Sequence, residues 1–210
     1  MTDDRTLAGF LEALGSSAPA PGGGAAAPRG TATNAGSSAA TPGAARTTGT
    51  ASASRSGTPA GVSGNTYTDP QGRFKMTIPQ GWRVQTTNGM DVDFEATPAA
   101  LKGAFQIAAE DVGAGVTLDD YAIGTMDSIK GSISSFQSLQ GGIQEATISG
   151  MPARRFDFSG TDGTTDVRAA VFVVKKGTTA YGFLIAADPA DFDAVFAQAK
   201  QFIDSFAFLP

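Results

Sequence analysis

The stretch YTDPQGRFKMTIPQGW, Tyr67 to Trp82, decides how this chain folds. Its centre alternates: Phe74, Met76 and Ile78 fall on one side, and Arg73, Lys75 and Thr77 on the other, which is the period of a half-buried strand. The preceding Asp69-Pro70-Gln71-Gly72 is turn chemistry. Asp69 can accept backbone hydrogen bonds, Pro70 fixes its own φ, and Gly72 tolerates a positive one. Pro79-Gln80-Gly81 ends the strand, and Trp82 supplies a large anchor for a sheet edge.

Downstream, Trp82 and Val84, then Val92 and Phe94, then Phe105, Ile107 and Ala109 mark further short strands. With the strand at Phe74, they predict a meander or a closely related antiparallel sheet. The period then changes. Leu118, Tyr121, Ala122, Thr125, Met126, Ile129, Ile133 and Phe136 recur at three- and four-residue steps, predicting an amphipathic helix with Thr117 as N-cap and Asp119 and Asp120 at the positive end of its dipole. Strand signals resume at Gln144–Ile148, Arg154–Ser159, Val167–Val174 and Tyr181–Ile185, with turns at Gly150, Asp162-Gly163 and Lys175-Lys176-Gly177-Thr178. A second helix is predicted from an Asp188 N-cap and Pro189, with Phe192, Val195, Phe196, Ala199, Phe202, Ile203 and Phe206 as its apolar stripe. Two helices on one mostly antiparallel sheet would bury most of the 14 phenylalanines.

Upstream the composition collapses. Of the 50 residues from 15 to 64, 45 are Ala, Gly, Ser, Thr or Pro, and Val62 is the one large apolar side chain. Such a stretch cannot bury enough surface to offset its ordering entropy and reads as a disordered linker with an end-to-end distance of roughly 40 Å. Charge divides the same way: residues 1–14 carry −2, the linker +3 and residues 65–210 −6, for a net −5 over 210 residues. The expected organisation is a short amphipathic helix over 1–14, the linker over 15–64 and one domain over 65–210. The acidic balance argues against a nucleic-acid partner. The chain has neither cysteine nor histidine, which excludes disulfides, thiol nucleophiles, imidazole bases and triads of the Ser-His-Asp kind. The opening MTDDR is acidic where an export signal is basic, and Leu7–Leu14 is too short to span a bilayer. As it stands, the sequence reads as cytoplasmic, with an extracytoplasmic location if the natural start differs.

The run Tyr67–Trp82 resembles the opening of PsbP-like and DcrB-like domains. The central helix, the turn Ile148–Ala153 and the Ser-Phe-x-Phe tail at Ser205–Phe208 are similar to the same pattern. The resemblance covers residues 65–210 and implies an α/β/α sandwich of the α+β class, used as a non-enzymatic binding or assembly module. Within that family are a photosystem subunit, envelope lipoproteins and a Ran-binding import factor. A second resemblance, Thr6–Ala27, is similar to the first helix and Pro-Gly-Gly-Gly turn of the formiminotransferase-cyclodeaminase C-terminal family, folate-processing enzymes. The apolar helices that follow in that family are replaced here by the linker, so no activity is carried over. The segment is either a remnant or gene-model join, or a short docking helix built on Leu7, Phe10, Leu11 and Leu14.

Among candidate sites, Asp91, Asp93 and Glu95 share one strand face at steps of roughly 6 to 7 Å and are weak candidates for a Ca²⁺ or Mg²⁺ site. The competing reading is a solvated face. Asp162–Asp166 reads as a hairpin turn rather than a cation loop. Lys175, Lys176, Arg154, Arg155 and Arg168 read as edge and turn charges more than as a basic patch, and alternation sends Arg154 and Arg155 to opposite faces. Gly22-Gly23-Gly24 lacks the lysine and strand-to-helix setting of a phosphate loop. The expectation is a protein-binding module with no catalytic residue, no cofactor and no transmembrane segment, its partner another protein. The alternatives are an envelope lipoprotein or secreted protein with a displaced start, and an enzyme, either folate-related or carboxylate-only.

Overall fold

The computed structural model describes residues 60–86, 92–96 and 103–210. In chain order the elements are β1 (Val62–Ser63), β2 (Thr66–Thr68), β3 (Phe74–Thr77), β4 (Trp82–Thr86), β5 (Val92–Ala96), β6 (Gly103–Asp111), α1 (Leu118–Ser132), β7 (Ser134–Ile148), β8 (Met151–Asp162), β9 (Thr165–Lys176), β10 (Thr179–Ala187), α2 (Phe192–Ser205) and β11 (Ala207–Phe208). The strands form a seven-stranded sheet, β4-β5-β6-β10-β9-β8-β7, and a four-stranded sheet, β1-β2-β3-β11. All pairings among the described residues are antiparallel. The result is the expected α+β sandwich, with α1 on one face of the large sheet and α2 with the small sheet on the other.

Alternation along the strands sorts the core into two layers. Phe105, Ile107, Phe172, Val174, Tyr181, Phe183 and Ile185 face α2 and the small sheet. Ala169, Val171, Val173, Ala180, Leu184, Phe156 and Phe158 face α1. Phe202 of α2 is the hub of the first layer, with its ring 4.4 Å from Phe105, 4.5 Å from Phe94 and 5.3 Å from Trp82. Trp82 also donates its indole N–H to Gln198 Oε1 at 3.3 Å, so this anchor ties the edge strand β4 to the helix.

Three expectations need correction. The strand at Phe74 is not part of the meander: β3 pairs with β2 and β11, and the meander β4-β5-β6 starts at Trp82. Alternation fixes which side chains share a face but not which sheet the strand joins, and the Pro79-Gln80-Gly81 corner carries the chain from one sheet to the other. The first helix ends earlier than its spacing implies. Ile133 is its C-cap with extended backbone, and Phe136 lies in β7, stacked on Phe158 at 5.2 Å. Gly131, Ser132, Ser134 and Ser135 are poor helix formers, which stops the helix although the apolar spacing runs on. The second helix starts one turn later, with Asp191 at the N-cap. Asp188 instead accepts a turn hydrogen bond from the Asp191 N–H at 2.9 Å.

Thr117 performs as expected: its hydroxyl accepts from the Asp120 N–H, and the Asp120 carboxylate accepts from the Thr117 N–H and hydroxyl. Val62, placed in the linker by composition, is in β1 and packs on the core. The expected leading helix, residues 15–59 of the linker and the folate-family resemblance lie outside the described residues. Among the described residues no helix is long and apolar enough to cross a membrane.

Candidate interaction surface

The candidate carboxylates are only partly placed. Asp91 lies outside the described residues. Asp93 and Glu95 flank the buried Phe94 on β5, in register with Gln85 and Gln106 and with Arg83 and Ala104 respectively. Their side chains are also outside the described part. Among the described residues no three potential ligands cluster around a common point.

The basic residues are placed more fully. Arg154 and Arg155 leave β8 on opposite faces, as alternation requires. Arg154 pairs with Asp119 of α1. Arg155 takes the other face, donating from Nε and Nη2 to the two oxygens of Asp157 at 2.7 Å each. Its guanidinium lies 5.2 Å from the Phe172 ring and 4.8 Å from the Phe196 ring. Arg168 pairs with Asp193 and lies 4.4 Å from the Phe192 ring. Phe192 and Phe196 are one turn apart on α2, so two arginines of the sheet cap two aromatic rings of the helix and brace its flank. Lys176 donates to the carbonyl of Leu209 and Lys175 to that of Gly177. The five cations therefore serve three ion pairs and two carbonyl contacts instead of forming one patch. Asp162–Asp166 is the tight β8–β9 hairpin, with Gly163 at φ +60°.

The edge strand beside them carries little charge of its own. β7 is the terminal strand of the large sheet, and nine of its fifteen residues are exposed. The strand carries one charge, Glu145, and the run Gly131–Gln144 is free of Asp, Glu, Lys and Arg over 14 residues. A charge-free run on a central strand is ordinary. On an exposed edge it is not, because edges are commonly protected by lysine or proline, and neither occurs in β7. Such an edge offers backbone N–H and C=O groups with Ser, Gln and Thr side chains, chemistry suited to reading a main chain rather than a charge pattern.

The edge is uneven. Ser134 is in register with Thr161 and Gln137 with Ser159, so Ser135, at φ +55°, and Phe136 together face one residue. Leu139 is in register with Asp157 and Gln144 with Arg155, so the four residues Gln140–Ile143 face Phe156 alone. Gln140, Gly141 and Gly142 all have positive φ, 54°, 81° and 97°. The Gln140 amide donates to Asp157 Oδ2 at 2.9 Å, and the Gln144 amide donates to the Gln140 carbonyl. Asp157 is 2% exposed, so a buried carboxylate, paired with the half-buried Arg155, anchors the excursion. The sequence pattern predicts strand only over Gln144–Ile148, whereas β7 begins ten residues earlier, at Ser134. The available signal was the charge-free Ser, Gln and Gly run after Lys130, which suits neither a helix nor an alternating strand.

Solved structures share this architecture. LpqN of Mycobacterium tuberculosis, described as involved in cell envelope biogenesis, matches with 13% identity and a TM-score of 0.53 over 65% of this chain and 83% of its own. The cyanobacterial PsbP of Synechocystis matches with 14% identity and a TM-score of 0.53 over 68% and 91%. The fold is PsbP-like. The Ran-binding protein Mog1p of Saccharomyces cerevisiae, at 11% identity and a TM-score of 0.52 over 68% and 93%, has this PsbP-like fold too. No sequence-family profile matches the chain, and no curated protein matches it by sequence. The folate-family resemblance of Thr6–Ala27 therefore finds no support in these comparisons.

Proposed function

We propose that the PsbP-like domain is a non-enzymatic protein-binding or assembly module, and that β7 is the element that meets the partner. The observation that carries this reading is the long, exposed, nearly charge-free terminal strand. Its outward backbone groups can take one more antiparallel strand, and its neighbouring cations are already committed to carboxylates and carbonyls. The fold is shared with proteins whose descriptions include Ran binding and envelope biogenesis, so one scaffold serves unlike partners. The surface, rather than the fold, must then define this one.

The test is site-specific crosslinking. A photoreactive residue at Thr147, exposed on β7, should crosslink the cognate protein. The same residue at Thr178, exposed on the β9–β10 turn, should not. Thr147→Pro, which removes an edge donor, should weaken capture at least tenfold while leaving the circular dichroism spectrum unchanged. A partner that crosslinks equally from Thr178, or is held equally by Thr147→Pro, rejects β7 as the contact.

A further inference from the structure

An exposed strand with so little charge raises a second question: why copies of this chain would not pair with each other along it. An edge of this kind is a template for another copy of itself, because two antiparallel copies satisfy each other's backbone groups across a two-fold axis. Repulsion between domains of charge −6 opposes approach generally, but within β7 it is represented by Glu145 alone.

We infer that the Gln140–Ile143 excursion is an edge guard. It prevents a second copy of this chain from pairing along β7 and confines strand addition to Gln144–Ile148. The inference rests on the reading of β7 as an open binding edge and names what regulates it. Three features carry it. Four residues against one push the chain out of the ladder, so a straight strand cannot continue past Gln144. Three successive residues of positive φ give the excursion a fixed shape, and two of them are glycines with open space where a Cβ would stand. The anchor is a buried carboxylate: Asp157 is gripped on both oxygens by Arg155, itself seated over Phe172 and Phe196, and it holds Gln140 from below. By contrast Gln144–Ile148 keeps a regular register with Met151–Arg155. That leaves a five-residue landing strip bounded by the excursion on one side and the Ser149-Gly150 turn on the other.

The register also supplies the test. Deleting Gln140, Gly141 and Gly142 would bring Ile143 opposite Phe156 between the existing Leu139–Asp157 and Gln144–Arg155 pairs. This restores strict alternation from Gln137 to Ile148. At a concentration where the parent full-length chain sediments as a monomer, the deletion variant should approach twice the monomer mass. Adding Thr147→Lys to the deletion should return it to monomer. Removing Gly141 and Gly142 alone keeps Gln140 and its bond to Asp157 and leaves one extra residue. That milder variant should give an intermediate mass, and it decides the matter if the longer deletion does not fold. A folded deletion that stays monomeric overturns the guard, as does a parent chain that already dimerises through Thr147 crosslinks. Absence of any partner crosslink from Thr147 in the parent chain, with the deletion variant still dimerising, would instead reject the binding reading and leave the guard standing.

Discussion

Asp69 shows how one residue closes a fold. It is 4% exposed and accepts from the Arg73 backbone N–H at 3.1 Å and from Arg73 Nε and Nη2 at 2.7 and 2.9 Å. The Arg73 Nη1 reaches the carbonyl of Ala109 on β6 at 3.2 Å, joining the small sheet to the large one. The turn role of Asp69 was legible in Asp-Pro-x-Gly. The return of Arg73 was not, because alternation placed that side chain outward and nothing local marks β6 as its destination. Asp69→Ala should cost about 3 kcal/mol by urea unfolding, since it leaves a partly buried guanidinium without its carboxylate. The same cluster acts on Tyr67. Burial, with a contribution from the Asp69 charge and against that of Arg73, pushes its hydroxyl up to about 12. A raised value means the folded state holds the proton longer. This contribution to stability is complete below the ordinary tyrosine value of about 10 and is lost as pH rises through about 12. Alkaline unfolding followed by tyrosinate absorbance should show this window, and Asp69→Asn should lower the Tyr67 transition.

At the scale of elements, the contact between the end of α1 and β8 depends on what is missing. A Cβ at Gly160 would collide with the Ile133 side chain and come within 2.9 Å of the Ser134 carbonyl, a backbone atom that cannot swing away. Gly160→Ala should therefore cost about 1–3 kcal/mol, read from thermal unfolding, although alanine is otherwise the more favourable residue. Both helices were legible from their spacing, and Thr117 was recognisable as a cap because a hydroxyl before an acidic first turn has one good use. Their ends were less legible. Apolar residues at positions 129, 133 and 136 satisfy a helix and, beyond a break at Ile133, equally satisfy a strand. Asp188 resembles a cap more than Asp191 does, since Pro189 suits a first turn. What decides is where Phe192 must lie to reach the core. The site was less legible than the fold for the same reason: hydrophobic spacing reports the buried face, and the proposed surface is the one facing away from it.

For the whole molecule, two amphipathic helices and alternating strands specified the sandwich, while the allocation of β3 to a second sheet required long-range pairing with β11. Pairings of both kinds lie side by side in this topology. β7, β8, β9 and β10 are linked in succession by the two-residue turns Ser149-Gly150, Gly163-Thr164 and Gly177-Thr178, each with a residue of positive φ. Such turns are suited to the twist of antiparallel hairpins. By contrast the β6–β10 ladder spans α1 and three strands, and β3 meets β11 only when almost the entire chain is in place. Closing a long loop costs more entropy than extending a hairpin, so the four-strand ribbon is expected to assemble first and the β3–β11 clasp last. In stopped-flow experiments Val173→Ala on β9 should chiefly slow refolding, and Phe208→Ala on β11 should chiefly accelerate unfolding. The ribbon that forms early has β7 at its border, so this edge stands open from the first stage of assembly, and a built-in obstacle to mispairing would serve partly folded chains before it serves the finished one.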